Sequence, residues 1–93
     1  MYNLYTIMEF DYDENKSKSN KYKHGIDFIE AQQLWLDPDR VEIPTRYLDE
    51  PRYLLIAKID NSHWSAIYTY RSNKIRLISV RRSRENEKEI YKS

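Results

Sequence analysis

The sequence contains no cysteine, one glycine and three prolines among its 93 residues. Without cysteine there is no disulfide framework and no thiolate chemistry, which fits a reducing compartment. So little glycine and proline argues against low complexity, and 40% hydrophobic residues are enough for a folded domain. No apolar run is long enough to cross a membrane, and no signal-peptide pattern precedes the first strand. We therefore expect one soluble, cytoplasmic domain over residues 1–93 that does not contact a membrane.

Charge is segregated along the chain, although 16 basic and 15 acidic residues leave a net charge of only +1. The segment from Glu14 to His24 holds four lysines and one glutamate, and the segment from Arg71 to Arg84 holds six basic residues and no acid. If these two basic segments meet in space, they form a strongly positive face whatever the total charge is. Such a face suits nucleic acid.

The first third of the chain predicts one strand and two helices. Aromatic and β-branched residues predict a strand near Tyr5–Tyr12. Asp13 is a suitable N-cap for a polar helix, and Gly25 suits the left-handed position after its end. Because this helix has almost no apolar residue, it must lie on the surface. The second helix, Phe28–Leu36, has apolar residues at helical spacing and is predicted to be the main core helix.

The ends of that second helix also carry signals. Asp27 and Glu30 have the spacing of a capping box, and Asp37-Pro38 ends the helix. A short strand, Val41–Ile43, is then predicted to end at Pro44.

The second half of the chain predicts an antiparallel meander. Its strands are Arg52–Ile59, Trp64–Tyr70 and Lys74–Arg82, joined by short polar turns. Glu85–Lys92 contains good helix formers and is either a short terminal helix or a mobile tail. Together the elements describe an α+β fold: an N-terminal strand, two helices, a three- to four-stranded meander and a short C-terminal helix.

The last predicted strand carries the pattern with the clearest functional meaning. Its apolar residues occur at both odd and even positions, which point to opposite faces of the sheet. This pattern predicts a central strand covered at least partly on both sides. Arg76 lies in its middle, and Arg81 and Arg82 lie at its exit. Guanidinium groups held by a rigid strand can bind phosphate, because the planar fork bonds two oxygens at once. The alternative is that these arginines occupy exposed positions of the strand and have no role in binding phosphate.

Two stretches together resemble one protein family. The first is Phe10-x-Tyr12-Asp13-x-x-Lys16-x-x-x-Asn20-x-x-Lys23-His24-Gly25-Ile26-x-Phe28-x-x-Ala31, and the second is Glu50-x-Arg52, Tyr68, Arg76-x-Ile78-Ser79-x-Arg81-Arg82, Glu87 and Tyr91. The combination is similar to the BrnT toxins of bacterial type II toxin–antitoxin pairs. The resemblance covers nearly the whole chain from Phe10 onward.

The resemblance implies a RelE-like fold and a ribonuclease that inhibits translation. It also implies neutralisation by a cognate BrnA-like antitoxin with a ribbon-helix-helix domain. Contact with DNA would then be indirect, through that antitoxin.

Cleavage of RNA without a metal needs a base for the 2′-hydroxyl, cations for the pentavalent phosphorane and an acid for the leaving 5′-oxygen. Arg81 is the first candidate for the cation, with Arg76 and Arg52 beside it. His24 is a candidate acid or base, with a helix-end cation as its alternative role, and Glu50 is a candidate base or an ion-pair partner of Arg52. The product would be a 2′,3′-cyclic phosphate.

Other residues are candidates for RNA binding. They are Lys21, Lys23, Arg82 and Tyr91. No cofactor or metal is expected, because the nearest carboxylates, Asp11, Asp13 and Glu14, are better explained by a helix N-terminus. Two alternatives stay open, namely an RNA-binding module without catalysis and an inactive domain whose exposed aromatic residues only bind a partner.

Overall fold

A five-stranded mixed sheet organises the chain. The structure, a computed structural model, describes residues 8–45 and 49–93. Its strands and helices are β1 (Phe10–Asp11), α1 (Glu14–His24), a 3-10 helix (Glu30–Leu36), β2 (Val41–Thr45), β3 (Arg52–Ile59), β4 (Ser62–Arg71), β5 (Lys74–Arg82) and α2 (Glu85–Lys92). The strand order is β1-β5-β4-β3-β2, with β1 parallel to β5 and the other pairs antiparallel. The α+β prediction is confirmed, and the sheet is larger than expected.

The N-terminal strand is confirmed only in part. Within the described residues β1 comprises Phe10 and Asp11, which pair with Ile75 and Arg76 of β5. Residues 5–7 of the predicted strand lie outside the described residues. The parallel pairing places Asp11 beside Arg76, which matters for the site below.

Helix α1 has the predicted ends but is held by a means that the sequence did not suggest. Asp13 accepts hydrogen bonds from the amides of Asn15 and Lys16, and Gly25 has φ +82°. On the inner side of the helix the buried residues are polar. The Asn20 carboxamide donates to the Val80 carbonyl at 2.9 Å and accepts from the Val80 amide at 3.1 Å. It therefore bonds the edge of β5 as the peptide group of a neighbouring strand would.

The predicted core α-helix is a 3-10 helix. The Asp27–Glu30 capping box is confirmed, since each side chain accepts from the backbone of the other. Beyond the cap, the bonds from Gln32 to Ile29 and from Asp37 to Leu34 span three residues. Seven residues are a long run for a 3-10 helix, which more often extends over about three or four. Its tighter winding buries Ala31, Leu34 and Trp35 but leaves Ile29 and Leu36 exposed.

The strand predictions from residue 41 onward are confirmed for β3 and β5 and need correction for β2 and β4. β2 does not end at Pro44 but continues to Thr45, because at the sheet edge the missing proline N–H costs no ladder bond. β3 and β5 have the predicted bounds, and β4 is longer at both ends. In the β3–β4 turn the residue with positive φ is Asp60. Glu85–Lys92 forms a helix, so the alternative of a mobile tail is wrong for these residues.

A β-bulge explains the apolar pattern of β5. Ile67 pairs with Ser79 and Tyr68 pairs with Leu77, so Ile78 has no partner on β4. The extra residue shifts the alternation, and Ile75, Leu77 and Val80 all face one core. The strand is interior, as predicted, but its mixed pattern comes from the bulge and not from equal burial on two sides.

The core lies on one face of the sheet. It is formed by buried residues of β3, β4 and β5 packed against Phe28, Leu34 and Trp35. On the opposite face α2 packs near the far end of β3. The candidate site lies on that same face, at the other end of the strands.

Candidate functional site

Polar side chains form a cleft on the sheet face opposite the core. The cleft has a volume of about 270 Å³. It is lined by Lys16, Glu50, Arg52, Thr69, Arg71, Arg76, Leu77 and Ile78. Four of these residues are cationic and one is a carboxylate, so the cleft suits an anion.

Strand order brings these residues together. Arg52 begins β3, Thr69 and Arg71 end β4, and Arg76 lies near the start of β5. Because β3, β4 and β5 are antiparallel, these positions meet at one end of the sheet, where Thr69 pairs with Arg76. The Thr69 hydroxyl also donates to the Pro51 carbonyl at 2.5 Å, which fixes the chain between Glu50 and Arg52.

Lys16 enters the cleft from α1. The helix runs beside β5, with Asn20 bonded to Val80. Lys16, one turn earlier, therefore lies beside the stretch of β5 that contains Arg76 and Ile78, where it lines the cleft.

The bulge at Ile78 decides which arginines of β5 share a face. In a regular strand Arg76 and Arg81 would point to opposite faces, because they are five residues apart. The extra residue puts both on the face opposite the core, opposite Thr69 and Ser65 of β4. Arg82 lies on the other face, and its guanidinium stacks on Trp64 at 5.2 Å from the ring centroid.

Carboxylates hold Arg76 and Arg71 in the cleft. Arg76 donates to Asp11 at 2.8 Å, and Arg71 donates to Glu50 at 3.3 Å. The hydrogen bond from Arg76 holds the pKa of Asp11 below its ordinary value. Among the residues that the structure describes, the lining of the cleft together with Asp11 holds four cations, Lys16, Arg52, Arg71 and Arg76, and two carboxylates, which gives a formal charge of +2. The carboxylates fix the arginines without neutralising the cleft.

Arg81 is on the same sheet face but lies outside this cleft. It donates to both oxygens of Glu87, each at 2.8 Å, and the Glu87 side chain is only 7% exposed. The Ser65 hydroxyl and the Arg84 amide also donate to Glu87. These bonds, that from Arg81 foremost, lower the pKa of Glu87 to about 2. Arg81 thus fastens α2 to the sheet.

The remaining predicted residues are dispersed. His24 and Lys23 are exposed at the end of α1, where His24 is eight residues, or about 12 Å of helix, beyond Lys16. Lys21 is on another side of the helix, in an ion pair with Glu30 at 2.8 Å.

Tyr91 lies at the far end of α2. Its hydroxyl donates to Asp37 at 2.7 Å, and the ring of His63 packs edge-on against it at 5.0 Å. Burial, followed by the bond to Asp37, raises the pKa of Tyr91 to about 12. In this geometry Tyr91 packs the terminal helix against the rest of the domain.

Sequence reasoning brought Arg52, Arg76 and Glu50 to the site but missed Lys16 and Arg71. Both had a signal. Lys16 belongs to the family motif, and Arg71 opens the basic segment. Asp11 was noticed only as a residue near a helix N-terminus, because its pairing with Arg76 depends on the parallel β1–β5 contact.

A larger cavity of about 630 Å³ lies on the core side of the sheet, near β2 and Trp35. There Glu42 accepts hydrogen bonds from the hydroxyls of Tyr68 and Tyr70. Its lining includes one arginine, Arg40, and two glutamates, so it lacks the cationic character of the cleft.

The described residues contain neither a metal-binding cluster nor a helix that could span a membrane. No three histidine, aspartate or glutamate side chains in residues 8–45 and 49–93 lie close enough together to hold a metal ion. None of the helices in those ranges has the length and apolar character needed to cross a membrane.

Comparisons with known proteins give one match. A family model described as ribonuclease toxin, BrnT, of type II toxin-antitoxin system matches residues 12–87, which is most of the chain. A comparison with curated proteins finds no match. The matched range includes every residue of the cleft.

Proposed function

Because the chain belongs to the BrnT family of ribonuclease toxins of type II toxin–antitoxin systems, we propose that it is a metal-independent endoribonuclease whose active site is the cleft around Arg76. The observation that supports the site is the convergence of four cations and one carboxylate in a cleft of about 270 Å³. A cleft of this size can hold one phosphate and its ribose but is too small for several nucleotides.

In the proposed reaction Glu50 accepts the proton of the 2′-hydroxyl, and the 2′-oxygen attacks phosphorus. Arg52 and Arg76 stabilise the phosphorane, whose extra negative charge develops in the transition state. The bond from phosphorus to the 5′-oxygen then breaks, and the Lys16 ammonium can donate the proton to that oxygen. The product is a 2′,3′-cyclic phosphate and a free 5′-hydroxyl.

The other predicted residues have proposed roles outside the bond-breaking step. Arg81 lies on the same face as Arg76, and we assign it contact with a neighbouring phosphate in addition to its bond to Glu87. His24 and Lys23 lie farther along α1, where they suit RNA binding better than acid catalysis. Arg82 and Tyr91 are engaged by Trp64 and Asp37, and Lys21 by Glu30, so their contribution to RNA binding is secondary.

The biological setting follows from the family. A type II toxin has a protein antitoxin as its partner. We propose a BrnA-like ribbon-helix-helix antitoxin, a RelE-like topology, and cytoplasmic action in which cleaved RNA no longer supports translation. DNA is then contacted only through the antitoxin.

Cleavage of purified total RNA in EDTA tests the proposal. We expect chelator-resistant fragments that end in cyclic phosphate, and a loss of about 100-fold or more in rate for Arg76→Ala. Arg40→Ala is the matched control, because Arg40 lies at the cavity on the core side. This variant should cleave RNA at the wild-type rate. The proposed site is wrong if Arg76→Ala, shown to be folded, retains the wild-type rate.

The non-catalytic alternatives give different results in the same experiment. An RNA-binding module would retain RNA without producing fragments, even when ribosomes are present. A pairing domain would neither bind nor cleave RNA but would still bind the antitoxin.

A further inference from the structure

The outward side of α1 carries a feature that the cleft does not explain. Tyr22 is 92% exposed, the most exposed of the large hydrophobic side chains in residues 8–45 and 49–93. A tyrosine with its ring in water loses the burial that normally stabilises it, so a contact with another molecule would be favourable. The ring belongs to a helix that is capped by Asp13 and Gly25, so the backbone that carries it is well defined.

The surroundings of Tyr22 are cationic. Lys18 precedes it by one turn on the same side of the helix, Lys23 lies about 100° round the helix axis from it, and α1 as a whole has four lysines against one glutamate. Among the described residues, no carboxylate pairs with Lys16, Lys18 or Lys23, whereas Lys21 is bound to Glu30 on the opposite flank. The positive charge next to the ring is therefore available to an outside anion.

This surface is continuous with the cleft. Lys16 lines the cleft, and Lys23 lies seven residues later on the same flank of the helix, about 10.5 Å away along the axis. An RNA strand that leaves the cleft along this flank would pass Lys23, and a base turned toward the outward side of the helix would reach the Tyr22 ring. An exposed aromatic ring flanked by lysines is the arrangement that binds single-stranded nucleic acid, with bases stacked on the ring and phosphates held by the lysines.

We propose that the outward face of α1, formed by Lys18 and Tyr22 with Lys23 at its border toward the cleft, is a second RNA-binding surface that holds single-stranded RNA outside the cleft by stacking a base on Tyr22. This inference rests on the proposed function, since it extends the substrate path of the same site. It also assigns the substrate class: the enzyme prefers an unpaired strand several nucleotides long, because a duplex could not offer a base to the ring.

Binding of RNA oligonucleotides to the full chain tests the inference without requiring cleavage. The probe is a fluorescently labelled single-stranded octanucleotide with 2′-O-methyl riboses, which cannot undergo attack by the 2′-oxygen. We expect Tyr22→Ala to weaken its binding about tenfold and Tyr22→Trp to retain it, because stacking alone is changed. Tyr70→Ala is the matched control, since Tyr70 is 51% exposed but lies beside Glu42; it should bind as the wild type does.

A second measurement separates this surface from the cleft. Cleavage of a dinucleotide, which fills the cleft only, should be equal for the wild type and Tyr22→Ala. Unchanged octanucleotide binding by Tyr22→Ala overturns the inference and leaves the proposed function intact. If Tyr22→Ala instead weakens only the complex with the antitoxin, the face is a protein interface and the inference is wrong. Failure of the wild type to bind any RNA refutes the proposed function itself.

Discussion

Glu87 ties α2 to the sheet, and its replacement by glutamine tests how much stability that contact supplies. The carboxylate is almost buried, accepts two bonds from Arg81 and one each from Ser65 and the Arg84 amide, and has a pKa of about 2 instead of its ordinary 4.5. A shift of this size corresponds to about 3 kcal/mol of folding free energy at pH 7. That is a large share of the ~5–15 kcal/mol by which a domain is stable.

The pH dependence has a definite sign. The carboxyl binds its proton less readily in the folded state than in the unfolded chain, so the unfolded state takes up protons first as the pH falls. The contribution is complete above about pH 5, and it is lost progressively between there and pH 2. Glu87→Gln resembles the protonated state at every pH. The variant should therefore be less stable than the wild type at pH 7 by about 3 kcal/mol, and the difference should shrink toward pH 2.

Urea unfolding followed by tryptophan fluorescence, at steps from pH 7 to pH 2, measures this difference. Glu85→Gln is the control, because Glu85 is on the same helix but is 88% exposed and lies 3.9 Å from Lys88. Its stability difference should be small, because an ion pair between exposed side chains contributes little. A difference between wild type and Glu87→Gln that stays constant from pH 7 to pH 2 would refute the assignment of a depressed pKa to this carboxyl.

Two further perturbations concern α1. Asn20→Ala removes the hydrogen bonds to the Val80 and Ile26 backbones and should lower the free energy of unfolding by about 3 kcal/mol. Hydrogen exchange at the Val80 amide should become faster. Unchanged exchange at that amide would contradict the pairing of Asn20 with the edge of β5. Gly25→Ala should lower stability by about 1 kcal/mol in thermal unfolding, since φ is +82° and a β-carbon would meet no neighbour within 4 Å, so backbone strain alone is tested. A Gly25→Ala variant as stable as the wild type would show that the left-handed conformation is not required.

The Glu87 contact also bears on activity measurements. Arg81→Ala leaves a buried carboxylate without its main partner, so this variant loses stability as well as any contact with RNA. A loss of toxicity in Arg81→Ala is informative about catalysis only if the variant is shown to be folded. Arg76 is a cleaner target, since its partner Asp11 is partly exposed.

The sequence determined the parts of the secondary structure that depend on neighbouring residues alone, namely helix caps and turns. Asp13 and Gly25 mark the ends of α1, because a cap needs only a side-chain oxygen or a residue that tolerates positive φ. The limits of β3 and β5 follow from short polar turns between apolar runs. For Glu30–Leu36 the apolar spacing and the capping box are compatible with either an α-helix or a 3-10 helix, so the sequence did not distinguish the two.

The sequence by itself also identified the family and three of the cleft residues, Glu50, Arg52 and Arg76, through motif and charge. Only the tertiary structure decided how they are arranged. The bulge at Ile78 sets which arginines share a face, and the antiparallel order of the strands brings Arg71 to Arg52. The parallel contact of β1 gives Arg76 its partner Asp11. Register and strand order depend on contacts between residues far apart in the chain, so no local pattern could reveal them.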